Sequence, residues 1–283
     1  IDPRPIRIRA HRTRIQYRPR LHSGSIAMQH PFVALDLGNS RLKVHRFDAA
    51  GGEPEFLGAE EPDHAKLDPN ALFAAGSIRS AGLASVAGER AERIAARFAA
   101  ALEIEVPINP AHGLQLDVRH PETVGFDRLY AARGAVARVG RGAIVVDVGT
   151  ALTVDAVRAS DGENGRGAIF LGGAIAPGPS LLAFALARGT AQLPHVEPEL
   201  DVPALGRETR AALASGVAVG LAGAARELVL RISAEAELAD APIVLTGGAR
   251  AFVLDVLGQL GRRVVVEPAL VAQGLRAAVQ DLE

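Results

Sequence analysis

Cysteine is absent from the 283 residues, which excludes disulfide frameworks, Cys-ligated zinc, iron–sulfur centres and thiol nucleophiles. A cytosolic location is the default for such a chain. Long hydrophobic runs are absent too. No stretch reaches the roughly 18 uninterrupted apolar residues that span a bilayer, because charges, glycine or proline break every run, so the chain reads as soluble with no membrane partner. Also missing is the Walker-A pattern, along with the Gly-rich loop and His-Arg-Asp set of protein kinases and the dinucleotide fingerprint after a strand. What is present is a 48% hydrophobic and 22% charged composition, ample for a core and far from the disordered class.

The net charge of −1 averages two unlike segments. Residues 1–27 carry seven arginines against Asp2, a charge of +6, which leaves −7 for the other 256 residues. The only methionine, Met28, stands between this stretch and the first strand-like run. Residues 1–27 therefore read as translated upstream sequence outside the fold, with an organelle transit peptide or a basic arm for nucleic acid as the competing readings.

After Met28 the punctuation is regular. Phe32 to Leu35 leads into Asp36-Leu37-Gly38-Asn39-Ser40, and Leu42 to Phe47 returns as a second strand. Residues 49–70 read as loop or edge, and 71–85 fits either a short helix or a strand. Helical spacing marks Glu89 to Leu102, Asp127 to Val139, Ser180 to Arg188, about 208–236 and 269–282. Ile104 to Ile108 and Arg263 to Val266 read as strands, and the Gly-Gly and Pro-Gly pairs of Leu171 to Pro179 as turns. Ala143 to Val146 runs into Asp147-Val148-Gly149-Thr150, and Leu152 to Val157 follows as a strand. Asp36 and Asp147 are 111 residues apart, a domain-sized repeat. The expected architecture is α/β, with an N-terminal lobe over 28–141 and a C-terminal lobe over 142–283.

A strand that ends in Asp, then Gly and a small hydroxyl residue, sets one carboxylate beside exposed backbone amides. Glycine lets those amides approach a phosphate closely. The aspartate suits a hydrated metal, and Lys43 could reach the same phosphates as a point charge. One such turn alone is more often an ordinary hairpin. Two copies, with a third small-residue turn at Thr246-Gly247-Gly248, point to a phosphate clamp between lobes.

The paired Asp-x-Gly turns and the late Thr-Gly-Gly resemble the acetate and sugar kinase, chaperone and actin superfamily, whose duplicated ribonuclease-H-like lobes hold ATP in a cleft. Several motifs in order are more specific. Gly125-Phe126-Asp127-Arg128, Asp147-Val148-Gly149-Thr150-Ala151, Gly172 to Gly178, Thr190 to Pro194 and Thr209 to Gly216 are similar to type III pantothenate kinases over about Phe32 to Leu275. The resemblance implies ATP-dependent phosphorylation of pantothenate, the first step toward coenzyme A. It makes Asp127 the general base, with Gly125, Phe126, Arg128 and Thr209 beside it at pantothenate. Asp36, Leu37, Gly38, Asn39, Ser40, Arg41, Leu42, Lys43 and Thr150 would hold ATP with Mg2+, and Asp147 a monovalent cation, K+ or NH4+. A homodimer in the cytoplasm, with no nucleic-acid partner, is implied as well.

Some positions keep rival readings open. Asp147 equally suits a second magnesium. Phe126 replaces a small or aliphatic residue, and Val118-Arg119-His120-Pro121 stands where relatives often carry a tyrosine, so an aromatic pocket wall is either missing or supplied by Phe126. A kinase for another small hydroxylated acid or sugar fits those departures. A catalytically reduced accessory protein is disfavoured because Asp36, Asp127, Asp147 and Thr150 are all present. Asp155 reads as structural or as a secondary phosphate-site candidate. Arg133 and Arg138 read as solvated helix positions, and His112, His120 and His195 as loop residues.

Overall fold

The computed structural model describes residues 30–281 apart from 50–51, 65, 75, 87 and 162–165, so the basic leader and Met28 lie outside the described residues. In chain order the elements are β1 (Phe32–Leu37), β2 (Leu42–Phe47), β3 (Glu55–Glu60), α1 (Pro69–Leu72), β4 (Ser80–Ser85), α2 (Gly88–Leu102), β5 (Gln115–Leu116), α3 (Phe126–Val139) and β6 (Ala143–Val148). They continue as β7 (Ala151–Arg158), β8 (Ile169–Pro177), α4 (Pro179–Gly189), α5 (Thr209–Glu235), β9 (Ile243–Thr246), α6 (Ala251–Gly258), β10 (Val264–Val266) and α7 (Leu270–Gln280).

Four strands form one sheet in the order β3-β2-β1-β4, and six form a second in the order β10-β9-β6-β7-β8-β5. Within the second, β8-β7-β6-β9 repeats the first. Each is an antiparallel meander whose first strand takes a parallel neighbour on its far side. The duplicated Asp-x-Gly turns thus hold equivalent places after the central strands β1 and β6. This is the ribonuclease-H-like lobe twice over, the actin-like ATPase fold. Two helices join the sheets: α3 packs on β4 as well as on β6 and β7, and α7 packs on β1, β4 and α3.

Strand alternation explains the cores. On β1, Val33, Leu35 and Leu37 face α2 and join Ile94, Phe98 and Leu102 in one apolar cluster. Phe32 and Ala34 face the other way and join Ala143 and Val145 of β6, Val157, Phe170 and the helices α3 and α7. The two helices therefore lie in a core shared by both sheets. Gly134 and Gly274 make their contact possible, since a Cβ on Gly134 would stand 2.5 Å from the Leu270 carbonyl oxygen and one on Gly274 would fall on that of Tyr130. The opposite face of β6 and β7 packs on α5 and α6.

This sandwich corrects three expectations. Arg133 and Arg138 are not solvated, because α3 has sheets or helices on most of its surface. Arg133 is fully buried, with Nη2 2.7 Å from Asp281, and Arg138 meets Glu53 at 3.1 Å and the buried Glu267 at 3.2 Å. The Gly172-Gly173 pair is likewise no turn but lies inside β8, where Gly172 takes φ +96° at a bulge opposite Ala156 and Val157. Residues 104–108 make a single bridge, Ile108 to Leu83, instead of a strand. The ambiguous stretch at 71–85 resolves into the end of α1 and strand β4.

Among the described residues α5 alone is long and apolar enough to cross a membrane, by length and composition. Its Leu213 and Val217 pack with α4 and Val196, and Leu221, Ala225 and Val229 pack on the second sheet. The four-residue spacing is that of one buried helix face.

Candidate active site

Alternation also aims the carboxylates. Asp36 shares the face of Phe32 and Ala34, and Asp147 that of Ala143 and Val145, so both project on the side where the two sheets face α3 and α7. Asp155 is the cross-strand partner of Val145 and projects there too. The first turn of α3 reaches the same region with Asp127. Four aspartates are thereby gathered on one side: Asp36 and Asp147 near the ends of central strands, Asp155 in the middle of β7 and Asp127 at the start of α3.

In the first turn the Gly38 N–H donates to the Arg41 carbonyl at 3.0 Å, closing the hairpin between β1 and β2. Asn39, Ser40 and Arg41 are exposed at its tip, while Leu37 and Leu42 anchor it in the core. Lys43 lies opposite Asp36 in register and places Nζ 3.1 Å from its Oδ2. That carboxylate is the main reason the Lys43 pKa is raised. Beyond the tip, the Ser40 hydroxyl is 3.0 Å from that of Thr150. The two repeated turns therefore touch, and each offers a hydroxyl to the space between them.

Asp147 ends β6 beside Thr246 of β9. Gly247, at φ +93°, comes so close that a Cβ there would fall on the Asp147 Oδ1 and the Val148 carbonyl, a contact only glycine permits. Burial pushes the Asp147 carboxyl up to about 7; Lys43 opposes the shift, and Asp36, Asp127 and Asp155 add to it.

Asp127 stands in the first turn of α3, after Gly125 at the N-cap. Its Oδ1 accepts the Arg128 N–H at 2.8 Å, as a carboxylate at a helix start does. Burial raises its pKa, and the Asp36 charge pushes the same way against the Arg128 amide and guanidinium. Arg128 turns its side chain to Asp155, with Nε 3.2 Å from both oxygens and Nη2 bonded to Oδ1. Asp155 is 1% exposed, and burial lifts its carboxyl to about 6 despite that partner.

Not every expected site residue joins this group. The Phe126 ring sits 6.4 Å from the His112 ring and 6.1 Å from that of Tyr130, packed on the shared core. Its aromatic surface is used in packing. Thr209 opens α5 and is exposed, beside the small core of Ala183, Val196, Leu213 and Val217. His112, His120 and His195 lie in loops. The pairing of Asp155 with Arg128 is not legible in the sequence, because it joins α3 to β7; the hairpin register shows only that Asp155 shares a face with Asp147.

The donor set fits cations. Asp36, Asp127 and Asp147 sense one another's charge, and Lys43 is the cation nearest Asp36 and Asp147. Yet among the described residues no three acidic or histidine side chains converge into a metal cage. A metal here would take one or two carboxylates and fill its remaining positions from phosphate and water, the usual arrangement for magnesium.

Comparison with known proteins identifies the family. The family model described as type III pantothenate kinase matches residues 32–231. A type III pantothenate kinase of Thermomicrobium roseum is 34% identical over 219 residues, covering 76% of this chain and 80% of its own. The Akkermansia muciniphila protein of that name is 34% identical over 166 residues, 59% of this chain and 64% of its own. The Legionella pneumophila (strain Corby) one is 38% identical over 167 residues, 59% of this chain and 61% of its own. The alignments to these last two span somewhat less than two thirds of the relatives' length.

Proposed function

Because the chain belongs to the type III pantothenate kinase family, we propose that its cleft transfers the γ-phosphoryl group of ATP to the pantothenate hydroxyl, the first step of coenzyme A biosynthesis. The observation that carries this reading is the position of Asp127. A half-buried carboxylate of raised pKa stands in the first turn of α3, within electrostatic reach of both Asp-x-Gly turns. An alcohol is a weak nucleophile, and a positioned base makes it a better one.

In this reading Asp127 accepts the hydroxyl proton as the substrate oxygen bonds to the γ-phosphorus and the bond to the ADP oxygen breaks. The amides and hydroxyls at the two turn tips, Asn39 and Ser40 in one and Thr150 in the other, receive the phosphates, exchanging the Ser40–Thr150 contact for contacts to phosphate oxygens. Arg128 meets the pantothenate carboxylate, and Thr209 the rest of that substrate. Asp36 would hold Mg2+, which when bound neutralises phosphate charge. Asp147 would hold K+ or NH4+. Lys43 keeps the charge of Asp36 balanced and faces the phosphates.

A homodimer completes the proposal. Ile175 on β8, Phe184 on α4 and Val219 on α5 are 65%, 49% and 48% exposed, and α4 packs on both β8 and α5, so these elements offer apolar surface to a second copy. A monomer in sedimentation at micromolar concentration would refute it. The chemistry belongs in the cytoplasm, where ATP is available.

The test is a coupled ADP-release assay with pantothenate, with and without Mg2+ and with K+ or NH4+ added. Turnover is expected to need magnesium and to rise with the monovalent ion. Protein that binds ATP but never phosphorylates pantothenate would overturn the reading.

The Asp147 assignment has a thermal signature. Its folded pKa of about 7 lies above the ordinary carboxylate value, so the folded state holds an extra proton between those limits and loses stability as pH rises through them. A bound cation recovers that loss only where Asp147 is ionised. The Tm gain from potassium chloride over an equal concentration of tetramethylammonium chloride is therefore expected to be larger at pH 8 than at pH 6. Equal gains at both would count against Asp147.

A further inference from the structure

The guanidinium of Arg128 does not stand free in the cleft. Its Nε and Nη2 are engaged by Asp155, and its plane lies over the Phe170 ring with Cζ 5.4 Å from the centroid. Strand β8 is shaped to admit that carboxylate: a Cβ on Gly173 would fall on the Asp155 Oδ1 and on the Val154 carbonyl, so the position takes only glycine.

A guanidinium has five N–H donors. Asp155 engages one hydrogen on Nε and one on Nη2. Three remain, and Nη1 makes no hydrogen bond among the described residues. The free Nη1 and Nη2 hydrogens form the end-on edge, a second fork that matches a carboxylate. Burying an ion pair costs desolvation on both sides, and apolar residues of the same volume would pack at less cost. What the pair supplies that apolar residues cannot is a fixed direction for the remaining donors.

The charges around the pair sharpen its task. Asp127 precedes Arg128 in the chain and is the other carboxylate within electrostatic reach of its guanidinium. Asp36 from β1 and Asp147 from β6 face Asp127, with Lys43 of β2 paired to Asp36, while Asp155 is faced by Arg128, Asp127, Asp147 and the Thr153 hydroxyl. Were Asp155 lost, the guanidinium would turn to Asp127.

We propose that Asp155 is a positioning residue for substrate selection. It grips Arg128 from behind so that the end-on edge meets the pantothenate carboxylate, and it keeps Arg128 off the neighbouring base. The proposal rests on the kinase reading and assigns a residue through which this site distinguishes a carboxylate from its neutral counterparts.

The test compares Asp155→Ala and Asp155→Asn with the unaltered enzyme, on pantothenate and on its neutral primary amide, as substrate or inhibitor. Asp155→Ala is expected to raise the KM for pantothenate about 10-fold or more, the scale of a lost hydrogen bond to a charged group. The KM or Ki of the amide should change by about 2-fold or less, and the KM for ATP should stay unchanged. Asp155→Asn keeps one acceptor and the volume, so it should fall between the two. It also decides the matter if the alanine variant does not fold. An equal rise for acid and amide, or no change for either, overturns the proposal by reducing Asp155 to a packing role. Failure of the kinase reading looks different, since the unaltered enzyme would then turn over neither compound.

Discussion

Asp127→Ala is expected to lower kcat by about 10²- to 10⁴-fold, the range that loss of a general base costs, while leaving the fold intact. The second half of that expectation makes the first informative. Burial and the nearby Asp36 both raise the Asp127 pKa, so its charged form is held at a cost in the folded protein. Removing it relieves repulsion with Asp36 and Asp147, and Tm should hold or rise slightly. The KM for ATP should change little, because the nucleotide contacts assigned to the two turns remain. The same raised pKa places the acid limb of kcat/KM above the ordinary carboxylate range: as pH falls through it, Asp127 gains a proton and can no longer accept one. The coupled assay over pH, with a melting curve for each variant, reads all three outcomes. Unchanged turnover in Asp127→Ala would remove Asp127 from the chemistry.

A substitution far from any substrate should be as damaging to stability. Gly274→Ala puts a methyl group onto the Tyr130 carbonyl oxygen and 3.0 Å from the Gly134 nitrogen. The obstacle is backbone on a helix held between two sheets, so no side-chain rotation can relieve it. The cost should reach the upper end of the overpacking range, about 3 kcal/mol, or a Tm fall of roughly 6–12 °C at 2–4 °C per kcal/mol for a chain of this size. Because α3 carries Asp127 on its first turn, the movement that relieves the clash also shifts the base, and kcat should fall with Tm. Calorimetry and the coupled assay on the same preparation test both. A Tm within about 1 °C of the unaltered protein would mean that α3 and α7 can slide apart at little cost.

Local signals were legible in the chain wherever one segment sufficed. The two turns after β1 and β6 were readable because Asp, Gly and a small hydroxyl residue follow an apolar run at both places, and α2, α3 and α5 announced themselves by helical spacing. What stayed hidden depended on partners distant in sequence. Arg133 and Arg138 look like solvated positions until the second sheet and α7 close over α3. Gly172 and Gly173 look like a turn until the bulge and the Asp155 carboxylate explain them. The bond from Arg128 to Asp155 joins α3 to β7, and no periodicity within either segment encodes it. Asp127 is singled out by family motifs alone, because its neighbours Asp36 and Asp147 come from strands distant in sequence.

The shared core has a consequence for how the protein is made. The face of β1 and β4 that carries Phe32, Ala34 and Ala84 packs on α7, and α7 leaves the ribosome after every other described element. Until it arrives, the first sheet exposes apolar surface that no earlier helix fully covers, and α3, which carries the proposed base Asp127, lacks one of its walls. Such long-range closure slows folding and prolongs exposure to aggregation. Nascent chains stalled before residue 270 should therefore bind trigger-factor-type chaperones and resist folding into protease-stable form, whereas chains extended past Gln280 and clear of the exit tunnel should become resistant in one step. Protease resistance in the first sheet alone, before α7 emerges, would show that it folds without its C-terminal cover.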